Sequence, residues 1–246
     1  MYLSWNKKTI TDFSDENINH LYNEGYVFTR VGKGVMNQTR SVRINLDKFE
    51  LSSENKRVLR KTENATMEVS PLPDEKYSWE IGKLGKDFYE KKFGNGVFTA
   101  NKIKELMTAP TSNFNLLLTY TSPFPLSKGE HKGVAVLDDN ARRQTLPSLP
   151  LVRGGSDASG YAICFQTKNI LHYCYPFYDL SSDIPNLGIG MMTRAVVWAK
   201  EQGKKYIYLG SAKDASALYK TQFKGFEWWD GKIWKEDVGE LKNVLK

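Results

Sequence analysis

One segment, residues 161–209, restricts the fold more than any other. Tyr161 to Thr167 and Ile170 to Tyr178 read as two strands joined by a tight turn at Lys168-Asn169. Leu187-Gly188-Ile189-Gly190 then opens a helix whose apolar stripe, Met192, Ala195, Val196 and Ala199, recurs at i, i+3, i+4 and i+7. Gly203 ends that helix, and Tyr206 to Leu209 is the next strand. A strand–glycine turn–helix–strand unit places a helix on the face of a sheet, so the expected class is α/β. The turn has a second consequence. Glycines at a helix start leave backbone N–H groups unpaired and pointing outward, where the helix dipole reinforces them for an anion. A plain helix-start turn accounts for the same two glycines, and both readings stand.

The remaining elements are read around this unit. Ser14 caps a helix over residues 14–24 with Ile18, Leu21 and Tyr22 on one face, ended by Gly25. Tyr26 to Arg30 alternates as a strand, Gly32 and Gly34 make a turn, and Ser41 to Leu46 is a strand with Val42, Ile44 and Leu46 on one side. Ser52 and Ser53 cap a basic helix. Residues 70–79 read as a loop, 82–92 and 99–108 as helices, and Asn115 to Thr121 as an apolar strand. Residues 122–160, rich in Gly and Pro, read as an insertion or long hairpin arm with one short strand, Gly133 to Leu137. Residues 214–221 look helical, and Phe223 to Trp234 is a closing strand or hairpin turning at Asp230-Gly231. The chain divides into a basic N-terminal segment (1–70), a variable middle region (71–160) and a C-terminal half built on the helix-crossover unit (161–246).

Charge narrows the partners. The protein has 35 Lys+Arg against 28 Asp+Glu, a net +7. Between Arg30 and Lys61 stand nine basic residues and three acidic ones, so +6 of that excess falls in 32 residues. Lys56, Arg57, Arg60 and Lys61 fall at i, i+1, i+4 and i+5 of the basic helix and form one stripe. Such a focus suits a polyanion, nucleic acid above all; a solvated helix face is the bland alternative. Two cysteines, Cys164 and Cys174, make neither a disulfide framework nor a four-thiolate metal site. The N-terminus is too polar for a signal peptide and no apolar run approaches a membrane span, so a cytoplasmic protein without membrane association is expected.

Two stretches carry a resemblance. Residues 25–61 read GYVFTRVGKGVMNQTRSVRINLDKFELSSENKRVLRK. Residues 177–234 contain FYD, LGIGMMTRAVVWAKEQGKKYIYLG, LYKTQF and a final DGKIW. In this order they resemble the arginyl-tRNA–protein transferase family, including its bacterial aspartate/glutamate leucyltransferase branch. The resemblance implies a GNAT-like acyltransferase fold, a mixed sheet flanked by helices, whole or partly doubled. It also implies an enzyme that moves an amino acid from aminoacyl-tRNA to the N-terminal amine of a protein and so marks it for degradation. By motif, Arg40, Arg43, Arg57 and Arg60 match the basic N-terminal segment, and Lys56 and Lys61 extend it as tRNA-binding residues. Tyr178, Asp179, Leu187, Gly188, Tyr208, Gly210, Tyr219, Lys220 and Phe223 match the C-terminal motif. Val35-Met36-Asn37-Gln38 stands where the family carries a cysteine cluster, so no metal is expected.

The chemistry implied is aminolysis of an ester. The donor is already activated, so neither ATP nor a covalent enzyme intermediate is required. No cofactor is expected, aminoacyl-tRNA being a co-substrate, with acetyl-coenzyme A as the alternative donor. Asp179 is expected to meet the α-amine or take its proton, or else to cap the turn before Ser181. Lys220 is expected at a terminal phosphate or the ester oxygen, and Tyr219 at the leaving ribose oxygen, the alternatives being a solvated Lys and a core Tyr. Tyr178, Leu187, Gly188, Gly190, Tyr208, Gly210, Ser211 and Phe223 complete the substrate-binding set, while the rings of Tyr178, Tyr206, Tyr208 and Trp198 read as core rather than as base-stacking platforms. His20, His131 and His172 show no pairing with a nucleophile and read as structural or surface residues. Two rivals remain. One is an N-acyltransferase using acetyl-coenzyme A, against which stands Pro185 where the GNAT phosphate loop begins with Gln or Arg. The other is a non-catalytic RNA-binding protein on a transferase scaffold.

Overall fold

The computed structural model describes residues 4–121 and 158–246. The expected arm and its strand Gly133 to Leu137 lie outside the described residues, apart from the last few.

In chain order the elements are β1 (Asn6–Thr9), α1 (Asp15–Asn23), β2 (Tyr26–Phe28), β3 (Val35–Gln38), β4 (Ser41–Asn45), α2 (Ser53–Lys61), β5 (Thr66–Pro71), α3 (Trp79–Phe93) and α4 (Ala100–Thr108). Then follow β6 (Leu116–Thr121), β7 (Ala158–Gln166), β8 (Ile170–Tyr178), α5 (Leu187–Glu201), β9 (Tyr206–Ser211), a 3-10 segment (Ala215–Gln222), β10 (Phe226–Trp229), β11 (Trp234–Lys235) and α6 (Val238–Val244). Eight strands form one sheet in the order β11-β10-β4-β9-β8-β7-β6-β5. Its neighbours pair antiparallel except β8 and β9, which run parallel. Parallel neighbours need a long crossover, and α5 supplies it. The mixed sheet flanked by helices is therefore present. The three segments read from sequence all contribute strands to it, and among the described residues the crossover unit occurs once. A second sheet, β1-β3-β2, is small and antiparallel.

Two apolar layers hold the sheet. On one face α5 buries Met192, Ala195, Val196 and Ala199, the stripe expected from spacing, against Ile44, Leu118, Ala162 and Ile207. On the other face α1, α3 and α4 bury Ile18, Tyr22, Phe88 and Ile103 against Leu117, Ile163, Phe177 and Tyr208. Both faces of the central strands are covered, so those strands bury nearly every side chain.

The local signals work as expected at most caps. Ser14 accepts from Asn17 N, and Ser52 forms a reciprocal capping box with Asn55. Four elements lack sequence expectation: β1, β3, β5 and α6. The residues read as a loop at 70–79 include the end of β5, and the stretch read as helical after Asp214 is a 3-10 segment.

Candidate active site

The site begins where the parallel pair comes apart. β8 and β9 pair only from Ile170 and Tyr206 to His172 and Tyr208. β8 then continues to Tyr178 beside β7, with a register shift between Ile163 and Cys164. β9 continues to Ser211 beside β4, with its own shift between Ser41 and Arg43. Each strand follows its outer neighbour, and a wedge opens between them. Pro176 lies in this diverging stretch, where one flank of β8 has no ladder that its missing N–H would interrupt.

Lys220 fills the wedge. Its side chain reaches back from the 3-10 segment, 9% exposed, and Nζ donates to the Ser211 carbonyl at 3.0 Å. Gly210 lies at φ +77, the left-handed region, and a Cβ there would stand 4.0 Å from Lys220 Nζ. Burial pushes the Lys220 pKa down to about 8, with Asp214 opposing the shift. Beneath it His172 is buried, held neutral by desolvation with its pKa pushed down to about 3. The Tyr22 hydroxyl sits 2.9 Å from His172 Nδ1. Tyr219, half exposed, projects beside Lys220, whose Nζ is 5.9 Å from the Tyr219 ring centre.

The opposite bank is the start of α5. Asn186, the residue before the helix, has φ 65, and its side chain makes no capping bond. The N–H groups of the first turn, Leu187 to Ile189, have no i−4 acceptor. Tyr178 covers this turn closely: a Cβ on Gly188 would lie 2.7 Å from the Tyr178 hydroxyl. Asp179 follows, and its Oδ1 accepts from Ser181 N–H (2.8 Å) and Ser181 Oγ (2.6 Å). The turn-capping role is therefore real, yet Oδ2 has no hydrogen bond among the described residues. A cleft of about 340 Å³ is lined by Tyr178, Asp179, Ile184, Asn186 and Gly188 among others. A larger hollow of about 760 Å³ lies over α3 and α4, with three lysines, three carboxylates and none of these residues. Its walls offer no convergent chemistry, so the smaller cleft is the better candidate.

The basic helix adjoins this bank. A Cβ on Gly190 would stand 2.5 Å from Thr62 Cγ2, and Arg194 of α5 donates to the Thr62 carbonyl. The C-terminal end of α2 is thus seated on the first turns of α5. Lys56, Arg60 and Lys61 are exposed along α2, while Arg57 pairs with Glu54 (Nε to Oε2, 2.6 Å). Arg40 lies on the other side, its NH1 3.4 Å from the Ala212 carbonyl just past β9.

Four expectations change. Arg43 does not face a polyanion: it is 5% exposed, with Nε donating to Glu227 Oε2 at 2.7 Å and the guanidinium between the rings of Tyr206 and Trp234. Tyr208 is 1% exposed under α1, accepts from Arg43 NH1 and has its pKa pushed up to about 12, so its ring is core, as its aromatic reading has it, and does not line the site. The Phe223 side chain packs on Phe49 and that of Leu187 lies in the α5 layer, so Leu187 offers the site only its backbone. His172 is structural, as expected, and both cysteines are free, with burial raising their pKa values. Sequence reasoning passes over Arg194; its signal is a lone cation in the apolar first half of α5.

No family model matches the chain. An aspartate/glutamate leucyltransferase of Saccharophagus degradans is 32% identical over 77 residues, which are 30% of this chain and 33% of that protein. The match thus spans about a third of the relative's length. Among solved structures, L-PGS of Bacillus licheniformis is 12% identical with a TM-score of 0.44, over 80% of this chain and 52% of that one. A GCN5-related glucosamine N-acetyltransferase region in a fungal multi-domain GH3 β-N-acetylglucosaminidase is 8% identical with a TM-score of 0.44, over 90% of this chain and 22% of that one. No helix of the described residues is long and apolar enough to cross a membrane.

Proposed function

We propose that this protein is an aminoacyltransferase that moves an amino acid from aminoacyl-tRNA to the N-terminal amine of a protein, tagging it for degradation. The observation that carries this reading is a buried cation and a half-used carboxylate, one following each of the two strands that diverge beyond their short parallel pairing. Lys220, a buried cation with one backbone acceptor, stands on the β9 bank, and Asp179, with a free carboxylate oxygen, stands on the α5 bank. The 77-residue likeness to a leucyltransferase supports the aminoacyl group as cargo. The exposed cations of α2, seated beside the α5 turn, support an RNA donor.

The reaction follows from the charges. The acceptor amine, with an ordinary pKa of about 7.7–8.0, is neutral in a useful fraction near neutral pH. Its lone pair attacks the ester carbonyl carbon, the bond to the ribose oxygen breaks, and a proton passes from nitrogen toward that oxygen. Asp179 Oδ2 orients the amine and accepts its proton. The Lys220 ammonium stabilises the oxyanion in a site too dry for water to do so. The Tyr219 hydroxyl donates to the departing ribose oxygen. Positioning contributes most of the rate, because the donor ester is already reactive.

A second reading keeps the same wedge but uses acetyl-coenzyme A, favoured by the open N–H groups of α5, which suit a pyrophosphate. One experiment separates the two. The protein is mixed with charged total tRNA and a panel of peptides, with acetyl-coenzyme A in a parallel tube, and the peptides are weighed by mass spectrometry. An aminoacyl mass supports transfer from tRNA, an acetyl mass supports the coenzyme, and neither mass refutes both.

A further inference from the structure

Beyond the wedge, the lip of the β9 bank carries an exposed aromatic residue and, beside its ring, a half-buried cation. Trp5 is 41% exposed, far more than the tryptophans of the core. It is held in place by its backbone, Trp5 N donating to Gln38 O at 2.9 Å, and its ring lies 3.9 Å from where a Cβ on Gly231 would be. The Arg40 guanidinium lies 5.9 Å from the Trp5 ring centre. Arg40 is poorly compensated. Among the described residues its side chain makes one hydrogen bond, the long contact to Ala212 O, and its Nε has no partner.

This pair adjoins the reacting site. Ser41, the next residue, is opposite Ser211 in the β4–β9 ladder, and the Ser211 carbonyl holds Lys220. The surroundings are cationic. Lys213 is exposed one residue beyond Ala212. Asp214 is occupied by Ser216 and Asp230 by Lys235. The α2 stripe lies on the far side of the α5 turn, so the wedge has cations on both flanks.

We infer that Trp5 and Arg40 form the docking platform for the unpaired 3′-terminal nucleoside of the tRNA, the base stacking on Trp5 and its phosphate facing Arg40. The chemistry is that of single-strand recognition, an aromatic face for the base and a guanidinium for the backbone. A platform at the lip of β9 holds the ribose that bears the ester beside Lys220, while α2 takes the phosphates of the helical stem. This assignment rests on the proposed function, since it specifies how that donor is gripped.

The test uses the full chain and uncharged tRNA with or without its 3′-terminal nucleotide, measuring both affinities at one salt concentration. The wild-type protein is expected to prefer the intact end by about tenfold, the scale of one base–aromatic stack. Trp5→Ala and Arg40→Gln each abolish that preference while still binding the truncated tRNA through α2, and Trp5→Phe restores it. A wild-type protein indifferent to the terminal nucleotide, or a Trp5→Ala variant that keeps the preference, overturns the platform. Peptide aminoacylation is measured alongside. Transfer that proceeds without end preference sinks the platform alone, whereas absence of transfer and of tRNA binding sinks the donor reading and the platform with it. If Trp5→Ala instead removes a melting shift caused by acetyl-coenzyme A, the platform belongs to the coenzyme and the assignment to tRNA fails.

Discussion

Lys220 is a charge that the fold pays for, and replacing it tests why it is there. Its pKa falls from 10.5 to about 8 on burial. Each pKa unit is worth about 1.4 kcal/mol, so holding the protonated form inside costs the folded protein about 3 kcal/mol at pH 7. The sign is fixed by proton counting. Between about pH 8 and pH 10.5 the unfolded chain holds a proton at this site that the folded chain has released. Stability therefore rises across that window, and the penalty is fully present below it. Lys220→Met keeps the length of the side chain and removes the charge. It gives up the bond to Ser211 O, worth about 1 kcal/mol. The expected balance is a gain of about 2 kcal/mol at pH 7, or roughly 5 °C in melting temperature for a protein of this size. The advantage shrinks with pH and is gone near pH 10. Urea melts of both proteins at pH 7 and pH 10 read this directly, and His172, Asp214 and Tyr219, the titrating groups around Lys220, are unchanged between them. Aminoacyl transfer by the variant is expected to fall by about a hundredfold or more, the usual cost of an oxyanion donor. A Met variant less stable at pH 7, or a stability difference of equal size at both pH values, would refute the idea that a buried charge is kept there against the fold's interest.

Three other outcomes are expected. Glu227→Ala leaves Arg43 charged and buried without its carboxylate, and a urea melt should show a loss of about 3–5 kcal/mol, with tRNA affinity of the folded protein unchanged. Arg57→Gln with Arg60→Gln should weaken tRNA binding and flatten its log–log salt dependence by about one to two charges; an unaltered slope removes α2 from the interface. Asp179→Asn keeps the Ser181 turn but loses the carboxylate charge, so single-turnover transfer should fall about a hundredfold or more while tRNA affinity stays within twofold.

The parts of the fold legible in the sequence are those whose burial is one-sided and local. The α5 stripe, the Ser14 and Ser52 caps and the Asp230-Gly231 turn each declare themselves within a few residues. β5 does not. It is an edge strand in which Met67 and Val69 alternate with Thr66, Glu68 and Ser70 but no residue is fully buried, and its pairing partner lies about fifty residues away in β6. β1 is likewise exposed at all four positions and exists only because β3 pairs with it.

The sequence points to the candidate site by glycines and charges but does not show which way the side chains face. Counting Arg43 with the cations of residues 30–61 treats charge as a property of a segment. In β4, however, Val42 and Ile44 point to the α5 layer, so Arg43 between them must point to the opposite, aromatic layer. A cation alternating with apolar residues in a strand covered on both faces is internal, and it requires a partner that only the fold supplies, here Glu227 from β10. The same alternation sends Tyr208 inward between Ile207 and Leu209. Lys220 is the contrary case. The short segment after β9 leaves its side chain no solvent direction once Gly210 turns the chain toward it, and the splay of β8 from β9 leaves a wedge that a long flexible amine can enter. The cations proposed to meet a substrate are therefore separated from those that hold the fold by strand geometry: Arg43 is paired inside the sheet with Glu227, while Lys220, at the open end, has only a backbone carbonyl as its hydrogen-bond partner.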